Sequence, residues 1–241
     1  MIRETKMIIK KTVNIIFDNR CILCGNKVYD GKNDYICKPC FDSFELDDID
    51  KCRICGHPLE KNQCPSCIHI EEKYFDSFSF IQYYRGIFRD LVRIWKKEEN
   101  FKVNHLFFSL IRKNNLIPES ATVTIIPDHF LDKYKKGKRG LAYLLKLFKK
   151  NNYCTYENIF RKKYFSGKKQ KKKSMSERYK EIEDVFYLPG NIKNKYSGEI
   201  YLIDDIYTTG ATINRGAQLL KEAGFSKVHI VTFFRSVLTE Y

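Results

Sequence analysis

Two adjacent carboxylates, Asp204 and Asp205, precede a turn of small hydroxyl-bearing residues, Thr208-Thr209-Gly210-Ala211-Thr212. Paired acids at such a place suit vicinal hydroxyls, or a Mg²⁺ ion that keeps most of its waters. The turn offers backbone N–H groups and hydroxyls at the start of a helix, where the helix dipole favours a phosphate. Gly210 permits positive φ and a close approach of backbone to ligand. Taken in order, the set predicts a sugar carrying a 5′-phosphate as occupant. An isolated Asp-Asp is accounted for by solvated acids before a helix capped by Thr, but that reading leaves the ordered whole unexplained. The chain has no G-x-x-x-x-G-K-[ST] and no G-x-G-x-x-G, which argues against a nucleotide P-loop and a dinucleotide fold.

The elements that must hold these residues are legible around them. Ile200 to Ile203 is an apolar, β-branched run that reads as a buried parallel strand ending at the two acids. Ile213, Ala217, Leu219 and Leu220 mark a helix that follows, closed by Gly224. Adjacent strand residues point to opposite faces, so both acids can serve one ligand only where the chain leaves the pleat. The crevice beyond the carboxyl ends of parallel strands is where open α/β sheets bind ligands.

A second chemistry lies near the start of the chain. Cys21-x-x-Cys24 and Cys37-x-x-Cys40 are separated by twelve residues, and Cys52-x-x-Cys55 and Cys64-x-x-Cys67 by eight. Paired thiolates two residues apart can close on one ion, and two such knuckles complete a tetrahedral Cys₄ shell. Gly25 and Gly56 follow the first knuckle of each set, where the turn needs an uncrowded backbone. Disulfides are the alternative, but four C-x-x-C pairs in a chain with no secretory signal point to metal. The expectation is two structural zinc ions, with knuckles paired either sequentially or cross-braced. The segment would not fold without them. His57 and His69 are spare beside four cysteines per ion, and Cys154 reads as a small buried hydrophobe.

The chain of 241 residues is 43% apolar and 15% aromatic, enough to bury a sizeable core and to exclude wholesale disorder. No apolar run reaches the length of a membrane span, and the start lacks a signal-peptide pattern, so a soluble cytosolic protein is expected. The formal charge is +15, and Lys133–Lys150 with Arg161–Lys180 carry 18 of the 44 basic residues. Such a field attracts polyphosphate or nucleic acid, more weakly as salt rises; a solvated face in a Lys-rich chain is the bland equivalent.

Elsewhere the pattern is strand, loop, helix, repeated. An amphipathic opening segment carries Met7, Ile8, Val13, Ile16 and Phe17. Ser77 to Tyr83 alternates as a strand, read as core in preference to a base-stacking platform. Helices are expected with Phe88, Leu91, Val92 and Trp95 on one face, over Val103–Lys113, and around Leu141–Phe148. Ala121–Ile126, stopped by Pro127, Tyr156–Phe160 and Lys227–Phe234 read as further strands. Alternation of this kind indicates an α/β fold with a mostly parallel sheet, residues 73–241, behind an N-terminal helix and double zinc-ribbon module, residues 1–72.

Tyr201 to Ile213 resembles the phosphoribosyl-pyrophosphate (PRPP) signature of type I phosphoribosyltransferases. The resemblance implies a phosphoribosyltransferase-like sheet, with Asp204 and Asp205 on the ribose hydroxyls. It puts Thr208, Thr209, Gly210, Ala211 and Thr212 around the 5′-phosphate, and Mg²⁺ with the PRPP. With the double zinc ribbon ahead of it, nearly the whole chain resembles the ComF family of competence-associated proteins. Further markers are Tyr84-Arg85-Gly86, Ile126-Pro127, Arg139-Gly140, and Arg161 with Gln170 and Arg178 downstream. The family's Arg-Gly-Phe-Asn-Gln is Arg139-Gly140-Leu141-Ala142-Tyr143 here, which removes two amides.

Membership in that family implies a role in natural transformation, with single-stranded DNA or DNA-uptake proteins as partners. Arg139, Arg161, Lys168 and Arg178 are the candidates for contact with pyrophosphate or DNA, and Lys168–Lys173 occupies the place of a mobile hood. The alternative is an active transferase, in which a nucleobase or related amine displaces pyrophosphate from C1 of PRPP through an oxocarbenium-like transition state. His129 has no named partner as a general base. A zinc-dependent nucleic-acid module on an inactive transferase fold ranks third.

Overall fold

The computed structural model describes residues 20–28, 35–44, 49–67, 72–98, 101–126, 140–162 and 186–237. The expected amphipathic opening with Met7 and Phe17, residues 127–139 and the expected hood, Lys168–Lys173, lie outside them.

In chain order the elements are α1 (Lys38–Asp42), β1 (Ser77–Tyr83), α2 (Ile87–Glu98), α3 (Phe101–Lys113), β2 (Thr122–Ile125), α4 (Gly140–Lys150), β3 (Thr155–Tyr156), β4 (Arg161–Lys162), β5 (Phe186–Tyr187), β6 (Glu199–Tyr207), α5 (Ala211–Ala223) and β7 (Lys227–Arg235). Five strands form one parallel sheet in the order β1-β7-β6-β2-β3, and β4 with β5 makes a separate antiparallel ribbon. The chain is thus α/β with a parallel sheet, as its alternating pattern predicts. From β2 it runs outward to β3, then returns to place β6 on the other side of β2. That reversal makes the β2–β6 neighbourhood a switch point, and open α/β sheets bind ligands beyond the carboxyl ends of strands at such a point.

Period-2 alternation along the central strands divides the core into two layers. On one face Ile203, Val231 and Phe233 pack against Leu91 and Trp95 of α2, Leu106 and Phe107 of α3, and Leu144 and Phe148 of α4. The Phe107 and Phe233 rings stack with centroids 4.0 Å apart, and the Trp95 indole meets both edge-on. On the other face Ile200, Leu202, Val228 and Ile230 cover Ile213, Ala217 and Leu220 of α5. Each such side chain, fully buried, contributes about 2 kcal/mol of apolar transfer.

Two strand expectations change in extent. Of Tyr156–Phe160 only Tyr156 joins the ladder, with Thr155 before it, because β2 is short and Glu157 N–H donates to Val123 O at the end of that pairing. Ile159 and Phe160 are buried without being strand. In contrast, β6 does not stop at the acids but runs on to Tyr207, since β7 continues beside it, pairing Asp204 with Thr232 and Tyr207 with Arg235.

Both ribbons are docked on the sheet. Cys21, Val28, Ile36 and Phe44 of the first join the layer under α2 and α3, while Cys55 of the second joins the α5 layer. Adjacent residues of β1 reach one ribbon each: Gln82 Nε2 donates to Ser43 O (3.1 Å) and Tyr83 Oη to Gly56 O (3.1 Å).

Asp76 pins the start of β1. Its carboxylate accepts from Lys221 Nζ of α5 (2.7 Å) and Val228 N of β7 (2.8 Å), and its own N–H donates to Val228 O (2.8 Å). Burial acts to raise its pKa, but Lys221 and the Val228 N–H outweigh it and hold the carboxyl below the usual 3.8. A depressed folded pKa stabilises above the unfolded value and loses its effect as pH falls through the folded one. Asp76→Asn is expected to lower the melting temperature by a few degrees at pH 7. The gap from the unsubstituted chain should persist down to pH 4 and close below about pH 3.8. Melts followed by circular dichroism across that range check it.

Candidate functional site

The eight knuckle cysteines gather into two clusters, Cys21, Cys24, Cys37, Cys40 and Cys52, Cys55, Cys64, Cys67, in each of which all sulfurs lie within 4.8 Å of one another. The pairing is sequential, and the cross-braced alternative is excluded. Nearest sulfurs stand 3.6 Å apart for Cys24–Cys37 and Cys52–Cys67, and 3.5 Å for Cys55–Cys64. Tetrahedral zinc with bonds of about 2.3 Å sets its sulfurs about 3.8 Å apart, so the donor sets fit that ion. The first knuckle of each set repeats one backbone design: Gly25 N–H reaches Cys21 O (3.0 Å), and Gly56 N–H reaches Cys52 O (2.9 Å). At Cys21 and at Cys52 burial acts to raise the thiol, but knuckle N–H groups outweigh it and bring each to about 7. Burial and neighbouring sulfurs push Cys40 and Cys67 upward. Four such sulfurs ionise together only around a cation. His57 is no ligand; its Nδ1 pairs with Pro58 O at 2.8 Å. Cys154 is partly buried, its thiol pushed up to about 12 by burial and then Glu119, which leaves it inert as a nucleophile.

Asp204 and Asp205 sit on the part of β6 that extends beyond its last pairing with β2, Ile203 with Ile125. Each carboxylate accepts from the next backbone N–H: Asp204 Oδ1 from Asp205 N (2.8 Å) and Asp205 Oδ1 from Ile206 N (2.7 Å). Lys96, from α2, forms an ion pair with Asp205 Oδ2. Burial acts to lower the Lys96 pKa, but Asp205 and then Asp204 outweigh it and hold it above the ordinary lysine value. Any cation or diol brought to Asp205 competes with this ammonium.

Beyond β6 the chain turns through Thr208 and Thr209 into α5. Gly210 is the N-cap residue at φ +82°, and it offers no side-chain cap. Asn214 N–H makes a first helical bond to Gly210 O (2.8 Å), and Ala211 N–H leans on Thr209 Oγ1 (3.5 Å). The first-turn N–H groups of a helix lack intrahelical acceptors and present a partial positive charge. Asn214 also ties this turn to the chain leaving the ribbons, donating to Glu72 O (2.6 Å) and accepting from Tyr74 N (3.0 Å).

Beneath the turn lies Arg235, fully buried at the end of β7. Its Nη1 donates to Thr208 O (3.0 Å), Tyr207 O (3.4 Å) and Ser236 O, and Nε donates to Cys55 O (2.6 Å). Its Nη2 meets Ser66 Oγ (2.8 Å) and Cys55 Sγ (3.7 Å). The guanidinium also stacks over the Tyr207 ring at 4.6 Å.

The remaining candidates are dispersed or undescribed. Arg161 begins β4, its Nη1 held by Asn158 O (2.9 Å) and Phe160 O (3.0 Å). Arg139, Lys168 and Arg178 lie outside the described residues, as do Pro127, His129 and Gln170. Gly140, at the start of α4, packs on Trp95, 2.4 Å from where a Cβ would sit. Sequence reasoning missed Lys96 and Arg235. Val92 and Lys96 are four apart on α2, so Lys96 flanks the buried face, a signal that was available. Nothing in the spacing connects Arg235 to Cys55.

Residues 12–70 match the double zinc ribbon domain family. Competence protein ComFC of Streptococcus pneumoniae (strain ATCC BAA-255 / R6) is 26% identical over 228 residues, 90% of this chain and 100% of that protein. Competence protein F of Haemophilus influenzae (strain ATCC 51907 / DSM 11121 / KW20 / Rd) is 20% identical over 224 residues, 89% of this chain and 96% of that protein. Along nearly its whole length the chain is similar to these two competence proteins. It joins a double zinc ribbon to an α/β sheet in one chain. Among its described residues no helix is long and apolar enough to cross a membrane.

Gly210 is the residue on which the turn hinges. A Cβ there would stand 2.1 Å from Tyr207 Oη at a φ that side chains resist. Gly210→Ala is expected to cost about 2 kcal/mol of stability. Gly190→Ala, where a Cβ meets nothing within 4 Å, should be neutral. Denaturant unfolding of the two variants checks the contrast.

Proposed function

We propose that this protein binds PRPP, with Mg²⁺, at the crevice beyond β6, and acts in natural competence by engaging single-stranded DNA or the proteins that deliver it. The single observation that carries the ligand reading is the junction of Asp204 and Asp205 with the glycine-capped start of α5, past the last β2–β6 pairing. Asp204 and Asp205 hold the ribose hydroxyls, once Lys96 yields Asp205. Thr208, Thr209, Gly210, Ala211 and Thr212 surround the 5′-phosphate with N–H groups and hydroxyls. Arg139, Lys168 and Arg178 complete the pyrophosphate or DNA contacts, with Arg161 released from its loop carbonyls to join them.

The competence role follows the printed names of the two relatives. A cytoplasmic site of action accords with that role. The DNA reading draws support from cations laid over rings along α3 and its neighbours: Lys102 over Tyr35, Lys113 over Phe41, and Arg112 over Phe108 and Tyr153. Such pairs suit a phosphate backbone. Residues 1–72 supply the ribbon unit and 73–241 the phosphoribosyltransferase-like unit.

Calorimetric titration with PRPP and Mg²⁺ tests the ligand. The unsubstituted chain should bind, and the Asp204→Asn/Asp205→Asn pair should bind at least tenfold more weakly, about 1.4 kcal/mol. Single-stranded DNA affinity should survive that pair and fall steeply with salt. Equal PRPP affinity in both chains sinks the reading. Pyrophosphate release in the presence of nucleobases would instead favour the active transferase.

A further inference from the structure

The Arg235 side chain is fully buried, and among the described residues no carboxylate lies within ion-pair distance of it. A buried guanidinium needs a counter-charge as well as acceptors. Its acceptors are divided between two places. Cys55 O, Cys55 Sγ and Ser66 Oγ belong to the second ribbon, while Tyr207 O and Thr208 O belong to the turn after β6. Four thiolates around one divalent ion carry net negative charge. Cys55 is both a member of the second cluster and a direct contact of Arg235, so that cluster, when loaded with its ion, would supply the counter-charge.

We propose that Arg235 is a positioning residue that couples the second Cys₄ site to the turn at Tyr207–Gly210. With the metal bound, the guanidinium is drawn to the cluster while it clamps the Tyr207 and Thr208 carbonyls. The N–H groups that follow are thereby aimed into the crevice. When the cluster loses its ion, the knuckle that holds Cys55 and Ser66 loosens, and the Arg235 bridge to the turn loosens with it. Among the described residues, the first Cys₄ site, packed under α2 and α3, makes no hydrogen bond to that turn. That the turn then receives a 5′-phosphate rests on the function proposed above; the coupling itself does not.

Hydrogen–deuterium exchange on the full chain reads the coupling directly. Cys24→Ser and Cys64→Ser each remove one site's ion, and a metal assay confirms the loss. Exchange across residues 204–213 should rise in Cys64→Ser and stay unchanged in Cys24→Ser. Arg235→Met should raise the same exchange while the first ion stays bound, and should release the second ion to a chromogenic chelator about tenfold faster. The double variant Cys64→Ser/Arg235→Met should exchange no faster there than Cys64→Ser alone.

If Arg235→Met does not fold, stepwise chelation of the unsubstituted chain gives the same comparison. Exchange at 204–213 should then rise with departure of the second ion only. Equal effects from both sites, additive effects in the double variant, or a rise spread over the whole sheet would overturn the coupling. PRPP affinity should fall about tenfold in Cys64→Ser and not in Cys24→Ser. A chain that binds no PRPP but keeps the exchange pattern would sink the functional reading and leave the coupling standing.

Discussion

Strand β6 outruns β2. Its backbone beyond Ile203 is paired with β7 on one side and, among the described residues, has no partner strand on the other. Everything assigned to the site depends on that mismatch. It carries Asp204 and Asp205 past the neighbouring strand end, and it sets where the chain must turn into α5. It also places Tyr207, paired with Arg235 across the ladder, as the floor beneath Gly210. Past Ile203 the strand is paired with β7 alone, so a ligand lying over its β2 edge is within reach of side chains from either face, and Lys96 of α2 meets Asp205 there.

The ribbons are part of the same construction. A segment as small as Cys21–Cys67 buries too little to hold itself without metal. Here it also borrows the sheet's core, through Val28, Ile36 and Phe44 on one face and Cys55 on the other. The α5 layer, the second knuckle and the turn after β6 consequently share walls: Phe78 packs on Tyr207 at 4.7 Å, Tyr83 bonds Gly56, and Arg235 joins all of them. Aromatic rings that alternate along β1 are fitted to this junction, which explains their density better than exposure to bases would.

Much of this was legible in the residues. Cysteine spacing foretold two four-sulfur clusters, because knuckle geometry is local and strict, although it left their pairing open. The order of apolar runs foretold helices and parallel strands to within a few residues. Its errors lay at strand ends, where a neighbour's length decides: β3 stops early beside a short β2, and β6 continues because β7 does. Gly210 was readable as a positive-φ position from its place between strand and helix. The place of Lys96 beside the buried face of α2 was readable from its helical spacing, but its pairing with Asp205, like that of Arg235 with Cys55, is long-range, and no local period encodes it.

The account turns on a phosphorylated sugar seated where β6 passes β2. A crystal structure of the protein grown with PRPP and Mg²⁺ tests that most directly. The account predicts the 5′-phosphate against the N–H groups of the Gly210 turn, the ribose hydroxyls at the acidic pair, and Lys96 withdrawn from Asp205. A structure with that crevice empty and Lys96 still joined to Asp205, or with PRPP seated elsewhere, would contradict it.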